Sequence, residues 1–166
     1  MCATVPVSSF ALPRLFSLDS LRLMSVRDIR SAPTYRQTVL LIDDQPTVLA
    51  IHTAVLKSLC MDLRIVSMTD PKAALEWLRQ KPVDLIVTDY RMHQMDGIHF
   101  VNAVRDSSIE PMRPIIVVTA LKDEKIHQQL LAAGVSACLV KPARAAQLSK
   151  IARTLLENSR RQYTTQ

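Results

Sequence analysis

Glycine is nearly missing from this sequence: Gly97 and Gly134 are the only two. That excludes a collagen repeat, a Gly-rich linker and a G-x-G-x-x-G dinucleotide fingerprint. Cysteine is scarce and odd in number, at Cys2, Cys60 and Cys138, with no C-x-x-C pair and no Cys/His cluster at zinc spacing. A structural zinc site is excluded, and a reduced, cytoplasmic protein is expected. Apolar runs are short. Val39–Ile42 and Ile115–Val118 are among the longest, at four residues. A membrane span needs about 20, so no segment qualifies as a transmembrane helix.

What is present is a chain of 166 residues, 48% of them apolar. A chain of that size forms one domain and buries roughly two-thirds of its unfolded surface. The net charge of +6 lies at the two ends. Residues 1–36 carry +3 and residues 144–166 carry +4, whereas residues 37–143 carry −1. The core is therefore not expected to bind nucleic acid, and the basic ends read as solvated faces.

Residues 1–36 hold Pro6, Pro13, Pro33 and six serines, with no basic start followed by an apolar block. They are a poor signal peptide and are expected to form a flexible leader. From residue 37 strand and helix signals alternate. The strands are predicted at Thr38–Ile42, Leu63–Ser67, Val83–Thr88, Pro114–Thr119 and Ser136–Val140. Helices follow each of them. The first opens at Pro46 with Val48, Ile51, Val55 and Leu59 at helical spacing. The second opens at Asp70–Pro71 and runs through Leu75, Trp77 and Leu78, and the third opens at Asp96–Gly97. The fourth, Lys122–Ala133, is stopped by Gly134. The last, Arg144–Glu157, places Leu148, Ile151 and Leu155 inward. Five such units predict an α/β domain, a doubly wound parallel sheet with helices on both faces, over residues 37–158. Residues 159–166 read as a polar tail or the start of a linker.

The carboxyl ends of the strands carry the chemistry. Asp43 and Asp44 follow the first, Asp89 the third, Thr119 ends the fourth, and Lys141 follows the fifth. Ligands of open α/β sheets bind outside these ends, so the five residues are predicted to converge. Crowded carboxylates resist simultaneous ionisation, and a hard divalent cation such as Mg²⁺ resolves that conflict. One carboxylate is then placed to attack a phosphoryl group, whose three oxygens need neutralising by the metal, Lys141 and the Thr119 hydroxyl. The residue types thus point to phosphoryl transfer onto an aspartate.

Four segments carry a resemblance: Val39-Leu-Leu-Ile-Asp-Asp-Gln-Pro46, Val87-Thr-Asp-Tyr-Arg-Met-His-Gln-Met-Asp-Gly97, Ile116-Val-Val-Thr-Ala120 and Lys141-Pro142. In that order they resemble the receiver domain of two-component response regulators. The resemblance implies a flavodoxin-like five-stranded sheet of order 2-1-3-4-5. It implies Asp89 as phosphoacceptor, Asp44 as a direct Mg²⁺ ligand, and Asp43 as a ligand held directly or through water. The Arg91 backbone carbonyl is the implied third protein ligand. Thr119 and Lys141 become the phosphoryl-binding pair, with Ala120 and Cys138 in supporting switch positions and a cis peptide at Lys141–Pro142. The implied partner is a sensor histidine kinase or a histidine phosphotransfer domain.

The chain departs from the family pattern in three respects. His93 stands where proline is common, and an exposed loop histidine is expected there. Cys138 replaces an aromatic residue that swings inward on activation, which a thiol cannot reproduce. Arg91 and Leu121 occupy loop positions that tune water access to the acyl phosphate. The signal is therefore expected to travel through Ala120–Leu121 and the helix at 122–133. That helix, with 136–140 and 144–157, forms the expected partner or homodimer surface.

Two other classes compete. A haloacid-dehalogenase-type phosphatase needs a second Asp two residues after the nucleophile, and Gln45 fails that test. A degenerate receiver acting as a phosphorylation-independent docking module would lack part of the acidic set, which is complete in this chain. The stretch from Tyr35 to Leu59 also resembles receivers that precede an HD-GYP cyclic-di-GMP phosphodiesterase domain. The 166 residues contain no such output domain, so the chain reads as a switch rather than an enzyme.

Overall fold

The structure, a computed structural model, describes residues 36–107 and 113–164. The expectation of a leader over residues 1–36 lies outside them, except for its last residue. Arg36 pairs with Asp62 at 2.9 Å and donates to the Leu63 carbonyl at 3.1 Å.

Ten elements alternate along the chain: β1 (Gln37–Ile42), α1 (Pro46–Lys57), β2 (Leu63–Met68), α2 (Pro71–Gln80), β3 (Leu85–Asp89), α3 (Gly97–Asp106), β4 (Ile115–Thr119), α4 (Glu124–Ala132), β5 (Ala137–Val140) and α5 (Ala145–Thr164). The strands form one sheet in the order β2-β1-β3-β4-β5. All four pairings are parallel. The expected doubly wound topology is present.

Strand alternation splits the core in two. Val39, Leu41, Leu85, Val87, Ile116 and Val118 pack with Leu49 and Leu56 of α1 and with Leu148, Ala152 and Leu156 of α5. Leu40, Ile42, Ile86, Ile115 and Val117 pack with Ala74 and Leu78 of α2, Phe100, Val101 and Val104 of α3, and Leu130 of α4. Both faces are covered, which is why β1, β3 and β4 read as unbroken apolar runs. Each of these large side chains contributes roughly 1.5–3 kcal/mol by leaving water.

Asp70, Asp96 and Asp123 cap α2, α3 and α4 by accepting the backbone N–H of Lys72, His99 and Lys125. Each satisfies a donor that the first helical turn leaves without an intrahelical partner. Gly134, at φ +83°, ends α4. Its N–H reaches the Leu131 carbonyl and the Val135 N–H reaches that of Leu130, the double bond of a Schellman turn.

Two expectations need correction. The inward face of α1 is Leu49, His52 and Leu56; Val48 and Val55 are half-buried, and Ile51 is 57% exposed. Apolar residues occupy adjoining stripes of this helix, so spacing alone does not choose between them. The last helix does not stop at Glu157 but continues through Asn158–Ser159 to Thr164. No glycine or proline interrupts that segment, and a polar stretch continues a helix once packing upstream has nucleated it.

Candidate acidic site at the carboxyl edge of the sheet

The β1–β3 register pairs Val39 with Leu85 and Ile42 with Thr88. One step further sets Asp43 beside Asp89. Alternation gives both the same parity as Val39, Leu41, Leu85 and Val87, toward the α1 and α5 side. Both are buried, 2% and 5% exposed. Ligand oxygens of Asp43, Asp44 and Asp89 all lie within 4.8 Å of one another.

Lys141 reaches this group from the end of β5. Its Nζ stands 3.0 Å from Asp43 Oδ2 and 2.9 Å from Asp89 Oδ1. The Lys141 N–H donates to the Thr119 carbonyl at 2.7 Å, so the main chain fixes where the lysine leaves the sheet. The Lys141–Pro142 peptide is cis, as expected. The remaining oxygens are held locally. Asp43 Oδ1 accepts the Gln45 N–H at 2.9 Å, and Asp89 Oδ2 accepts the Arg91 N–H at 3.1 Å. Asp44 Oδ1 is buried and accepts no hydrogen bond.

Three ionised carboxylates facing one ammonium carry a surplus of two negative charges. Burial, first of all, raises the Asp89 pKa, and Asp43 adds to it; the hydrogen bond and attraction of Lys141 and the backbone N–H pull the other way and lose. Lys141 is lowered by burial, but its hydrogen bonds and attraction to Asp89 and Asp43 win and raise it. The pair is thus an ammonium locked on and a carboxylate whose charge the fold resists. The orphaned oxygen of Asp44, the surplus charge and the all-oxygen donor set fit a hard divalent cation such as Mg²⁺.

Thr119, fully buried, ends β4. Its Oγ1 accepts the Leu121 N–H at 3.0 Å, which leaves the hydroxyl proton to donate elsewhere. Ala120 follows it, exposed. Arg91 sits in the β3–α3 loop, where its main chain forms an isolated antiparallel β-bridge with that of Asp96. His93 is exposed in the same loop, as expected, while Met92 beside it is buried and receives the Thr88 hydroxyl at 3.6 Å. Cys138 lies opposite Val117, half-buried on the α2–α4 side, and burial raises its thiol pKa. It is a packed residue set back from the acidic group.

Two histidines escape a reading of the sequence alone. His52 is buried on α1, and its pKa is lowered: burial dominates, Asp43 and Asp89 raise it, and Lys141 lowers it further. Its spacing from Leu49 and Leu56 is the one signal that could have found it. His127 of α4 places Nε2 3.1 Å from the Leu121 carbonyl, a contact across six residues that no periodicity announces.

Comparison with known proteins agrees with this geometry. Residues 39–153 match the model of the response regulator receiver domain family. The chain is 35% identical over 119 residues to the cyclic di-GMP phosphodiesterase response regulator RpfG of Xanthomonas campestris pv. campestris, covering 72% of this chain but only 32% of that protein. Among solved structures, CheY4 of Vibrio cholerae superposes with a TM-score of 0.66 at 27% identity, covering 74% of this chain and 100% of that one. The receiver domain of the sensor histidine kinase PA1611 from Pseudomonas aeruginosa PAO1, which holds a magnesium ion in its active-site cleft, gives 0.65 at 27% identity over 74% and 99%. With its strand order, its clustered carboxylates and a family match over most of its length, the chain belongs to the response regulator receiver domain family, whose general function is phosphorylation-dependent switching.

Proposed function

We propose that Asp89 is the phosphoacceptor of this receiver, fed by a sensor histidine kinase or a histidine phosphotransfer domain. The observation that carries this is the position of Asp89 at the end of β3, buried between Asp43, Asp44 and the Lys141 ammonium. An Asp89 oxygen forms the new P–O bond while the donor's P–N bond breaks. The bonding pair leaves on the imidazole nitrogen, which takes up a proton. Mg²⁺, when bound by Asp43, Asp44, Asp89 and the Arg91 carbonyl, supplies charge neutralisation at the transferred group. Lys141 holds Asp89 in place and neutralises a phosphoryl oxygen, and the Thr119 hydroxyl donates to another.

The phosphoryl group adds about −1.5 to −2 charge. Thr119 moves toward it, and the shift passes through Ala120–Leu121 to α4. The α4–β5–α5 face is the surface offered to a partner or a second copy. The switching unit runs from β1 to α5. The chain works as a cytoplasmic switch that is itself modified, not as an enzyme on an outside substrate. The likeness to RpfG supports a cyclic-di-GMP output downstream. Among the described residues no helix is long and apolar enough to cross a membrane.

Intact mass after incubation with acetyl phosphate and Mg²⁺ tests the assignment. Wild type gains one phosphoryl group, and Asp89→Asn gains none. A wild-type gain in Asp89→Asn refutes it.

A further inference from the structure

Two hydrogen bonds meet on one residue of the β4–α4 loop. The Leu121 N–H donates to Thr119 Oγ1 at 3.0 Å. The Leu121 carbonyl lies 3.1 Å from His127 Nε2. A carbonyl only accepts, so Nε2 carries the proton here. The ring is held by the first turn of α4, where the His127 N–H bonds to the carbonyl of the N-cap residue Asp123 at 3.2 Å. Leu121 is thus gripped on one side by the Thr119 hydroxyl and on the other by a helix.

We propose that His127 is a positioning residue for the switch: its bond to the Leu121 carbonyl latches the β4–α4 loop in the unphosphorylated arrangement. The inference rests on the roles proposed for Asp89 and Thr119. Threonine is β-branched, so its hydroxyl moves between staggered positions in a discrete step. A step toward a phosphoryl oxygen takes Oγ1 away from the Leu121 N–H. That half-buried donor must then be left unpaired, or the loop must shift to find another acceptor. While His127 holds the carbonyl of the same residue, the loop cannot shift without breaking that bond or drawing the first turn of α4 with it. The latch therefore opposes activation, and it ties loop movement to helix movement. Cys138 cannot fill space behind Thr119 as a ring would, so this tie is the route to the α4 surface.

The full chain is tested as wild type, His127→Ala and His127→Gln, the last retaining a side-chain N–H for the carbonyl. Beryllofluoride with Mg²⁺ serves as phosphoryl analogue, followed by the NMR signals of Leu121 and Lys122. Amide exchange at Leu121 is measured with no analogue added. A hydrogen bond of ordinary strength gives His127→Ala half-saturation at about 3- to 10-fold lower beryllofluoride and Leu121 exchange faster by about the same factor. His127→Gln returns both toward wild type, and exchange in β3 stays unchanged in all three proteins. Unchanged Leu121 exchange in His127→Ala overturns the latch. Equal shifts in the Ala and Gln variants overturn it as well, because ring volume rather than the hydrogen bond would then be responsible. A wild type that ignores beryllofluoride refutes the phosphoacceptor reading, while the exchange measurement still decides the latch.

Discussion

The two ends of the sheet both bury charge, and they treat it differently. At the amino edge, Asp84 accepts the Thr38 N–H at 2.7 Å, and Arg113 donates toward the Leu78 and Lys81 carbonyls. Arg105 there donates to the Arg113 carbonyl at 2.9 Å and to the Gly134 carbonyl at 2.6 Å. Backbone groups take up most of this charge and close the edge, although Arg105 Nε stays buried there without a hydrogen-bond partner. At the carboxyl edge three carboxylates share one ammonium, and Asp44 keeps an oxygen without a donor. One edge uses its charges to hold loops. The other stores an imbalance that an incoming cation and phosphoryl group relieve.

The largest test of this contrast lies at the closed edge. Asp84→Ala strands the half-buried Thr38 N–H and removes a charged acceptor, so urea denaturation should show a loss of about 3 kcal/mol. Equal stability of variant and wild type would show that the Asp84 charge does not hold this edge. At the open edge the response reverses. Without metal, Asp89→Asn removes a charge whose pKa the fold raises, and should gain about 1 kcal/mol. The sign follows from linkage. A raised carboxyl is tolerated in the fold below its unfolded value and costs stability as pH rises through the folded value. The gain should therefore be present at pH 7 and fade in acid.

Mg²⁺ should raise the melting temperature of wild type by mass action and leave Asp44→Ala nearly unmoved. An equal shift in both would argue against the acidic cluster as the binding site. Phosphorylation-dependent association separates the roles of Thr119 and Cys138. Thr119→Ala should uncouple association from Asp89 modification, whereas Cys138→Ala should leave it almost intact, as gel filtration of the phosphorylated proteins would show.

The smallest effect belongs to His52. Its pKa is depressed below the ordinary 6.5. Its contribution is present above that value and lost as pH falls through the depressed one. His52→Leu should flatten the acid limb of the stability profile by less than about 1 kcal/mol; an unchanged limb would count against the assignment.

The acidic cluster was legible because strand ends are legible. Apolar β-rich runs stop at polar residues, and parallel topology brings those stops to one edge. The register was not legible: only the folded sheet sets Val39 opposite Leu85 and so carries Asp43 to Asp89. The inward face of α1 was not legible. Ile51 and Leu49 both have helical partners, and only the docked sheet selects Leu49 and leaves Ile51 exposed. The extension of α5 was hidden for a related reason: a polar segment has no periodicity of its own and borrows its helix from the packed turns before it.

The residues alone settled the order of elements, the helix starts at Asp70 and Asp96, the stop at Gly134 and the chemistry available at each strand end. Those are properties of neighbouring residues and short-range backbone preference. Tertiary structure decided which oxygens Lys141 holds across 98 residues from Asp43, which face of α1 is buried, and that His127 closes on Leu121. These depend on angles between packed elements, where a rotation of one helix position, about 100°, exchanges a buried residue for an exposed one.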